Sequence, residues 1–326
     1  MISQDQVVHL VKRKGKLKAQ RGTWESNWQE LTNLVLPNEA DFNTERSRGG
    51  KRTTHVYDST GIHANEMLAA GLHGMLTNPA SNWFSLRIKD DQNNLADSSE
   101  AKQWLEDTTN VILSEIAAPS VAFSSHIHEY YLSLCSIGTA CIFIGDPVNR
   151  EGVSFRAIHI EEIFIAENAD GIIDTVFRSF EMTVRQIVQK WGEKSLSPRI
   201  AKMYEKKDYD KQVQLLHCVY PREDMSKGKK AATMLPVASV YIDEKDKHVL
   251  AEGGFDEMPY MVSRWSKAVG EVFGRSPAMT ALPDIRMLQE IMKTTIKAAQ
   301  KVVDPPLLVP DDGFIMPVKF ALFRAV

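Results

Sequence analysis

The sequence predicts an α+β protein, and three observations lead to this prediction. Helical spacing of apolar residues dominates the first part of the chain, residues 1–137. Short strand-like segments with polar turns follow in residues 138–269, and one long amphipathic helix comes next in residues 270–303. Successive strands joined by short turns form antiparallel sheets, and helices on either side of them pack against those sheets.

The first part is predicted to contain four helices. The first covers about residues 4–36 and has an apolar face made by residues three and four positions apart: Trp24, Trp28, Leu31 and Val35. Pro37 ends it, and the polar segment 43–54 is predicted to be a loop. Three more helices are predicted at residues 61–76, 99–116 and 124–136, with a short strand between them at residues 83–87.

Two features of these helices suggest contacts. The helix at 61–76 follows an Asp58-Ser59-Thr60 cap and has an uncharged side: Met67, Leu68, Gly71, Leu72 and Met75. Its small residues would let another backbone approach closely. The first helix carries a basic cluster that could bind phosphate or simply be solvated: Lys12, Arg13, Lys14, Lys16 and Lys18.

The middle of the chain is predicted to be a mainly antiparallel β unit. Apolar runs and alternating segments predict strands at residues 138–146, 155–159, 164–166, 174–182, 213–220, 239–243, 249–252 and 259–265. One short helix interrupts them at residues 184–191, begun by a Thr183 cap and ended by Gly192. The helices before and after this unit are expected to flank it.

The long helix is predicted to begin at Ser276-Pro277 and to end at Asp304, because Ser caps a helix well and the double proline that follows cannot continue one. Pro283 lies inside it and predicts a kink or a separate first turn. One face is apolar: Ile285, Leu288, Met292, Ile296, Ala299 and Val303. The opposite face is charged and includes a stripe of three lysines: Lys293, Lys297 and Lys301. A rod of about 40 Å usually packs against other copies or spans a domain.

Composition narrows the class of protein. The chain of 326 residues has a formal charge of −3, whereas a dedicated nucleic-acid binder would be strongly basic. Its three cysteines are scattered and odd in number, so a reducing compartment is expected rather than a disulfide framework. The N-terminus lacks the apolar core of a signal peptide, and no apolar run is long enough for a membrane span. A soluble protein made in the cytoplasm is expected.

The side chains that usually carry catalysis do not form a recognisable pattern. His126 and His128 lack a plausible third metal ligand, and Cys135 and Cys141 lie in or beside apolar runs, where thiols behave as small hydrophobes. Adjacent carboxylates do not share a face of a helix or a strand. Hydrolase, zinc-protease and dinucleotide-binding motifs are absent from the sequence. We therefore expect a non-enzymatic protein without cofactor or metal.

Several segments, taken in order along the chain, form a recognisable set. The strongest is Gly270-Glu271-x-Phe273-Gly274-Arg275-Ser276-Pro277, which runs on to Asp304-Pro305-Pro306-Leu307. The others are Arg21-x-x-Trp24-x-x-x-Trp28 with Leu36-Pro37, Asp58-Ser59-Thr60 with Leu68-Ala69-Ala70-Gly71-Leu72, Leu76-Thr77-Asn78-Pro79 with Trp83-Phe84, Tyr131 with Gly138-Thr139, Asp174-Thr175-Val176-Phe177-Arg178, and Arg264-Trp265. Each is weak alone, but together they cover nearly the whole chain, and in this order they resemble the portal (head-to-tail connector) proteins of short-tailed double-stranded-DNA bacteriophages.

The resemblance implies a dodecameric ring at one capsid vertex, through which terminase packages DNA and DNA later leaves. Residues 1–137 and 138–269 would be the helical and β-rich parts of the wing, 270–303 the first stem helix, and 304–326 the start of the clip. In the clip, a contact with terminase or a neighbouring subunit is expected for Pro305, Pro306, Leu307, Leu308 and Val309. A second stem helix, a tunnel loop and a crown would normally follow, so the chain is expected to be C-terminally truncated and to assemble poorly.

The implied partners are other copies of the chain, the terminase large subunit, tail adaptors, capsid and scaffold proteins, and non-specifically the DNA that passes through. The implied location is the virion, after synthesis in the host bacterial cytoplasm. Near-neutral charge suits a conduit in which DNA must slide. The lysine stripe faces either the channel or the outside of the ring. Two alternatives remain open from sequence: an oligomeric scaffold with a coiled-coil helix, and a metal-dependent phage nuclease.

Overall fold

The computed structural model describes residues 2–39, 42, 49–53, 56–88, 98–148, 151–222 and 235–305. Within them the chain is α+β, as the sequence predicts. Its helices are α1 (Gln4–Val35), α2 (Thr60–Leu76), α3 (Ser99–Ala117), α4 (Phe123–Ile137), α5 (Val184–Trp191), α6 (Pro198–Glu205) and α7 (Pro277–Val303). Its strands are β1 (Thr139–Gly145), β2 (Ser154–Ile158), β3 (Ile163–Glu167), β4 (Ile173–Thr183), β5 (Gln212–Pro221), β6 (Val237–Asp243), β7 (His248–Phe255) and β8 (Tyr260–Arg264).

The strands form two antiparallel sheets. One has three strands in the order β2-β1-β8, and the other has five in the order β3-β4-β5-β6-β7. In the smaller sheet Ile142 lies opposite Ala157 on one side and Met261 on the other. All five strands of the larger sheet lie side by side in chain order, and α5 and α6 are inserted between β4 and β5.

Helix α1 joins the helical part of the chain to the larger sheet. Ser3 and Gln6 form a capping box at its start, which satisfies two backbone donors that the helix leaves free. Farther along, the buried guanidinium of Arg21 donates from Nη1 to the carbonyl oxygens of Ile160 and Ile163 at 2.9 and 2.8 Å. These bonds hold α1 against the turn that leads into β3.

The main core lies where α1, α4 and α7 meet the two sheets. Its centre is the fully buried Trp28, whose ring makes an edge contact with Phe273 at a centroid distance of 5.0 Å. Side chains from both sheets, from the end of α4 and from the turn before β3 fill the rest: Ile137, Cys141, Ile158, Ile160, Ile163, Ile165, Val176 and Val219. Because this core draws on segments from Trp24 to Ile285, it orders the β-rich residues and the start of α7 together.

His217 links the two sheets through buried polar bonds. Its Nδ1 lies 2.6 Å from the hydroxyl of Tyr260 on β8, and its Nε2 lies 2.9 Å from the hydroxyl of Ser239 on β6. The imidazole stacks on Tyr241 at a centroid distance of 3.8 Å. Burial holds the pKa of His217 well below its ordinary value, so the ring is neutral.

Most predicted elements are present, and the exceptions have physical causes. The strand predicted at residues 83–87 is wrong: this segment has no regular secondary structure. A strand needs a partner strand, whereas here the amide of Leu86 donates to the hydroxyl of Thr109 on α3. The cap of α2 also differs, because the Ser59 side chain makes no cap bond and Asp58 accepts from the amide of Thr60 instead.

Helix α6 was not predicted. It is only eight residues long, so few apolar positions are available to show a helical period. Ser197 before Pro198 was a usable start signal, since the Ser197 hydroxyl accepts from the amide of Ile200 and proline occupies the first turn. The predicted loop at 43–54 lies mostly outside the described residues.

Candidate subunit-contact helix and its anchor

A single serine both starts α7 and attaches it to the rest of the protein. The Ser276 hydroxyl accepts from the amide of Met279 at 2.9 Å, which is the N-cap bond that the sequence predicts. The same hydroxyl donates to the carbonyl oxygen of Ser136, near the end of α4, at 2.7 Å. The start of the long helix is therefore fixed to α4 by the group that caps it.

Two glycines allow the chain before α7 to lie directly against the end of α4. Gly138 has a φ of +88°, and a Cβ there would lie 2.6 Å from the carbonyl oxygen of Gly274. A Cβ on Gly274 would in turn collide with the carbonyl oxygen of Gly138. The amide of Gly274 donates to the hydroxyl of Thr139 at 2.8 Å. Only glycine fits at this backbone-to-backbone contact.

The first half of α7 is packed against the protein. Its buried residues follow a helical spacing: Ala278, Leu282, Ile285 and Gln289. Ile285 fits against Gly61 of α2, where an added Cβ would lie 3.3 Å from its side chain. Pro283 lies inside the helix without ending it, and the predicted separate first turn does not occur, because α7 is continuous from Pro277.

Gln289 makes a contact that the sequence did not predict. Its side-chain oxygen accepts from the amide of Tyr57 at 2.7 Å and from that of Asp58 at 3.1 Å, and its Nε2 donates to the carbonyl oxygen of Asp58. It satisfies the backbone just before α2 and fixes the middle of α7 there. The available signal was its position, which continues the buried spacing of Leu282 and Ile285.

The second half of α7 presents its apolar side chains to solvent. Of the predicted packing stripe, Ile285 is buried and Leu288 is half-buried, whereas the remainder is exposed: Met292, Ile296, Ala299 and Val303. Val303 retains 86% of its surface and Ile296 retains 41%. Met287 and Ile291 add exposed apolar surface beside the stripe. Contiguous apolar surface on a soluble helix marks a contact site.

The three lysines of the charged face differ in environment. Lys293 is half-buried and its ammonium lies 2.8 Å from the carboxylate of Glu290, which raises the pKa of Lys293. Lys297 and Lys301 are exposed. Nearer the start of the helix, Arg286 forms an exposed ion pair with Glu30 of α1. Exposed pairs of this kind are worth about 0–1 kcal/mol.

The predicted clip residues lie at the edge of what the structure describes. Pro305 is exposed and follows the end of α7 at Val303. Pro306, Leu307, Leu308 and Val309 lie outside the described residues. Their expected contact with a partner stays a prediction.

Three titratable side chains with strongly shifted pKa values lie in the body of the protein: Cys135, Glu39 and His159. Burial raises the pKa of the Cys135 thiol to about 11 and that of Glu39 to about 7, and it lowers the pKa of His159 to about 3. Glu39 and His159 approach each other to 3.8 Å, beyond hydrogen-bond distance. Among the described residues, no group of three His, Cys, Asp or Glu side chains is placed to bind a metal ion. No helix in the described ranges is long and apolar enough to cross a bilayer.

The α+β body holds the first half of α7, and the apolar second half has no partner among the described residues. This arrangement is typical of an assembly subunit. The chain belongs to the bacteriophage head to tail connecting protein family, whose family model matches residues 8–323. Two curated relatives are similar along 92% of the chain. One is the probable portal protein of Bordetella phage BPP-1, 30% identical over 304 residues, and the other is the portal protein of Salmonella phage epsilon15, 31% identical over 306 residues. The chain spans about half the length of these relatives, 54% of each.

Proposed function

We propose that this chain is a subunit of a phage portal, a ring at one capsid vertex through which double-stranded DNA enters and leaves. Residues 1–137 and 138–269 form the wing, residues 270–303 the first stem helix, and the clip begins at residue 304. The role is structural and non-catalytic. The family membership and the portal names of both relatives support this assignment.

The observation that carries the proposal is the division of α7 into a fixed half and an exposed half. The fixed half is held by Ser276, Ile285 and Gln289, so the helix leaves the body in a defined direction. The exposed half offers several large apolar side chains, each of which stabilises an assembly by roughly 1.5–3 kcal/mol when buried. Helices held at one end in this way can pack side by side around a central axis.

The proposed partners follow from this role. Other copies of the chain close the ring, which is a dodecamer. The terminase large subunit and later the tail adaptors bind at the clip, and capsid and scaffold proteins surround the wing. The assembled protein resides in the virion, after synthesis in the bacterial cytoplasm. DNA passes through without sequence-specific contact.

A pair of substitutions on each side of α7 tests the role of the exposed stripe. We expect Met292→Glu/Ile296→Glu to abolish self-association, because each variant helix would place carboxylates where the apolar stripe must be buried. Thr294→Glu/Ala298→Glu is the matched control, with the same spacing on the opposite, exposed side. Sedimentation velocity and negative-stain microscopy measure the outcome.

The result also separates the proposal from its alternatives. A large ring-shaped species in the wild type and the control, lost in the stripe variant, supports a portal, whereas irregular oligomers of the wild type would match the poor assembly expected from the sequence. A wild-type dimer would instead indicate a coiled-coil scaffold, and equal assembly of both variants would exclude the stripe as the contact. Nicking of plasmid DNA in the presence of magnesium or manganese would favour the nuclease alternative.

A further inference from the structure

Helix α3 has an outer face that combines carboxylates with exposed apolar side chains. Residues at helical spacing share this face: Glu100, Trp104, Asp107, Val111 and Glu115. Trp104 retains 65% of its surface and Val111 retains 61%. The inner face of α3 is lightly packed, and Thr109 is the one buried residue of this helix. An exposed tryptophan between carboxylates is an unusual surface, and tryptophan is enriched at the centres of protein interfaces.

A basic pocket of about 660 Å³ lies beside α6 and the β6–β7 turn, in another part of the chain. Its cationic side chains outnumber its carboxylates: Arg199, Lys202, Lys206, Lys211 and Lys247 against Asp208 and Asp246. The half-buried side chain of Met203 and the ring of Pro198 add apolar wall. The pocket therefore has a charge opposite to that of the α3 face and a similar mixture of polar and apolar surface.

Two of the five cations in this pocket pair with carboxylates of the same chain, and the other three do not. The Arg199 guanidinium donates to both carboxylate oxygens of buried Asp243, at 2.7 and 2.9 Å, and the Lys211 ammonium lies 3.9 Å from Asp208. No carboxylate of the described residues pairs with the remaining cations: Lys202, Lys206 and Lys247. A partner that carries carboxylates would complete the pocket.

We propose that the α3 outer face of one copy binds the α6 basic pocket of the next copy, with Trp104 seated against Met203. The inference rests on the proposed ring, and it names one contact surface between its subunits. Two different patches of the same chain that complement each other form a head-to-tail contact, and such contacts close into a ring when the rotation between neighbouring copies divides a full turn. Carboxylates against Lys202 and Lys206 set the register, and the aromatic–thioether contact adds burial.

The pocket suits a protein surface better than a phosphate backbone. Asp246 is paired with Arg199 at 3.3 Å and Asp208 lies 3.9 Å from Lys211, so part of the positive charge of the pocket is already neutralised. Its apolar wall would gain little from a phosphodiester chain, whereas it matches an aromatic side chain flanked by carboxylates. The formal charge of −3 for the whole chain also leaves little general attraction for DNA.

Charge reversal on each surface tests the contact. Lys202→Glu/Lys206→Glu and Glu100→Lys/Asp107→Lys should each weaken self-association at least tenfold, measured by sedimentation velocity at about 0.1 M salt. Lys12→Glu/Lys16→Glu is the matched control, with the same charge change and the same i, i+4 spacing on exposed positions of α1. It should assemble like the wild type. Thermal unfolding by circular dichroism verifies that every variant is folded.

Mixing the two interface variants provides the decisive measurement. If the two variants alternate around the ring, the acidic pocket of the Lys202→Glu/Lys206→Glu variant faces the basic α3 of the Glu100→Lys/Asp107→Lys variant. The unchanged pocket of the second variant faces the unchanged α3 of the first. Both kinds of contact then join opposite charges. We expect the equimolar mixture to assemble where neither variant does alone. Assembly of each variant alone, or no recovery on mixing while the wild type forms rings, would overturn this contact and leave the proposed portal function standing.

Two further outcomes separate the alternatives. If Lys202→Glu/Lys206→Glu assembles normally but loses affinity for short duplex DNA, the pocket binds phosphate and the inference is wrong. If the wild type stays monomeric at every concentration, then the proposed ring fails for this chain and this contact fails with it.

Discussion

At the scale of single residues, His217 shows how a titratable group serves as a buried link. It connects β5 of the larger sheet to Tyr260 of the smaller one, and its second nitrogen faces Ser239. Burial and the nearby cations of Lys190 and Arg178 disfavour the imidazolium, so the pKa of His217 lies well below its ordinary value. In the unfolded chain the same group would titrate at about 6.5.

This difference predicts that the protein loses stability in weak acid. Below about pH 6.5 the unfolded chain takes up a proton at residue 217 that the folded chain does not, so the free energy of unfolding falls as pH falls. We expect His217→Gln to lower the free energy of unfolding by about 1–3 kcal/mol at neutral pH and to make it less dependent on pH. Urea unfolding at about pH 8 and about pH 5 measures both effects.

The exposed His63 on α2 provides the control for that experiment. Its side chain is 74% exposed, so His63→Gln should leave both stability and its pH dependence unchanged. Some pH dependence will persist in His217→Gln, because burial also lowers the pKa of His159 to about 3. Equal pH dependence in the wild type and His217→Gln would show that the linking imidazole does not stay neutral.

At the scale of elements, α7 depends on the contact between Gly138 and Gly274 before it. Gly138→Ala would place a Cβ 2.6 Å from a carbonyl oxygen at a positive φ, and both effects are unfavourable. We expect a loss of at least about 2 kcal/mol in the free energy of unfolding, together with faster proteolysis at the start of α7. Chemical denaturation and limited proteolysis measure these changes.

Gly71→Ala on α2 is the matched comparison for Gly138→Ala. A Cβ at Gly71 meets nothing within 4 Å, and its φ is helical, so alanine should raise stability by up to about 1 kcal/mol. If Gly138→Ala lowers the free energy of unfolding while Gly71→Ala raises it, the loss at Gly138 is caused by the backbone contact. Similar stability of both variants would show that the contact is dispensable for anchoring α7.

At the scale of the whole molecule, substitutions in the lysine stripe test whether this face of α7 contacts DNA. If the stripe lines the channel of the assembled ring, we expect Lys297→Gln/Lys301→Gln to assemble normally but to bind duplex DNA more weakly and with a smaller dependence on salt. Lys293→Gln alone should change little, because Lys293 is already paired with Glu290. Fluorescence anisotropy at several salt concentrations measures the effect. Unchanged DNA binding by the double variant would place these lysines on a solvated or subunit-contact face.

The elements with local signals were predictable from sequence alone. Helix α7 begins after Ser276 and ends at Val303 because a hydroxyl cap and a proline-rich stop act within one turn of the chain. The larger sheet follows from alternating residues separated by short turns, and the α5 helix from its Thr183 cap. The apolar stripe on α7 was also visible from residue spacing, and ordered motifs indicated the family.

The tertiary structure decided what depends on residues distant in sequence. It buried Gly61, Asn65 and Ala69 of α2 and left Met67 and Met75 exposed, because α4 and α7 approach the other side of that helix. The strand predicted at residues 83–87 failed for the same kind of reason, since a local alternation cannot supply the partner that a ladder requires. The buried position of Gln289 follows the helical spacing of α7, but its bonds to Tyr57 and Asp58 could not be read from local sequence, and neither could the Gly138–Gly274 contact, because each joins backbone more than 100 residues away.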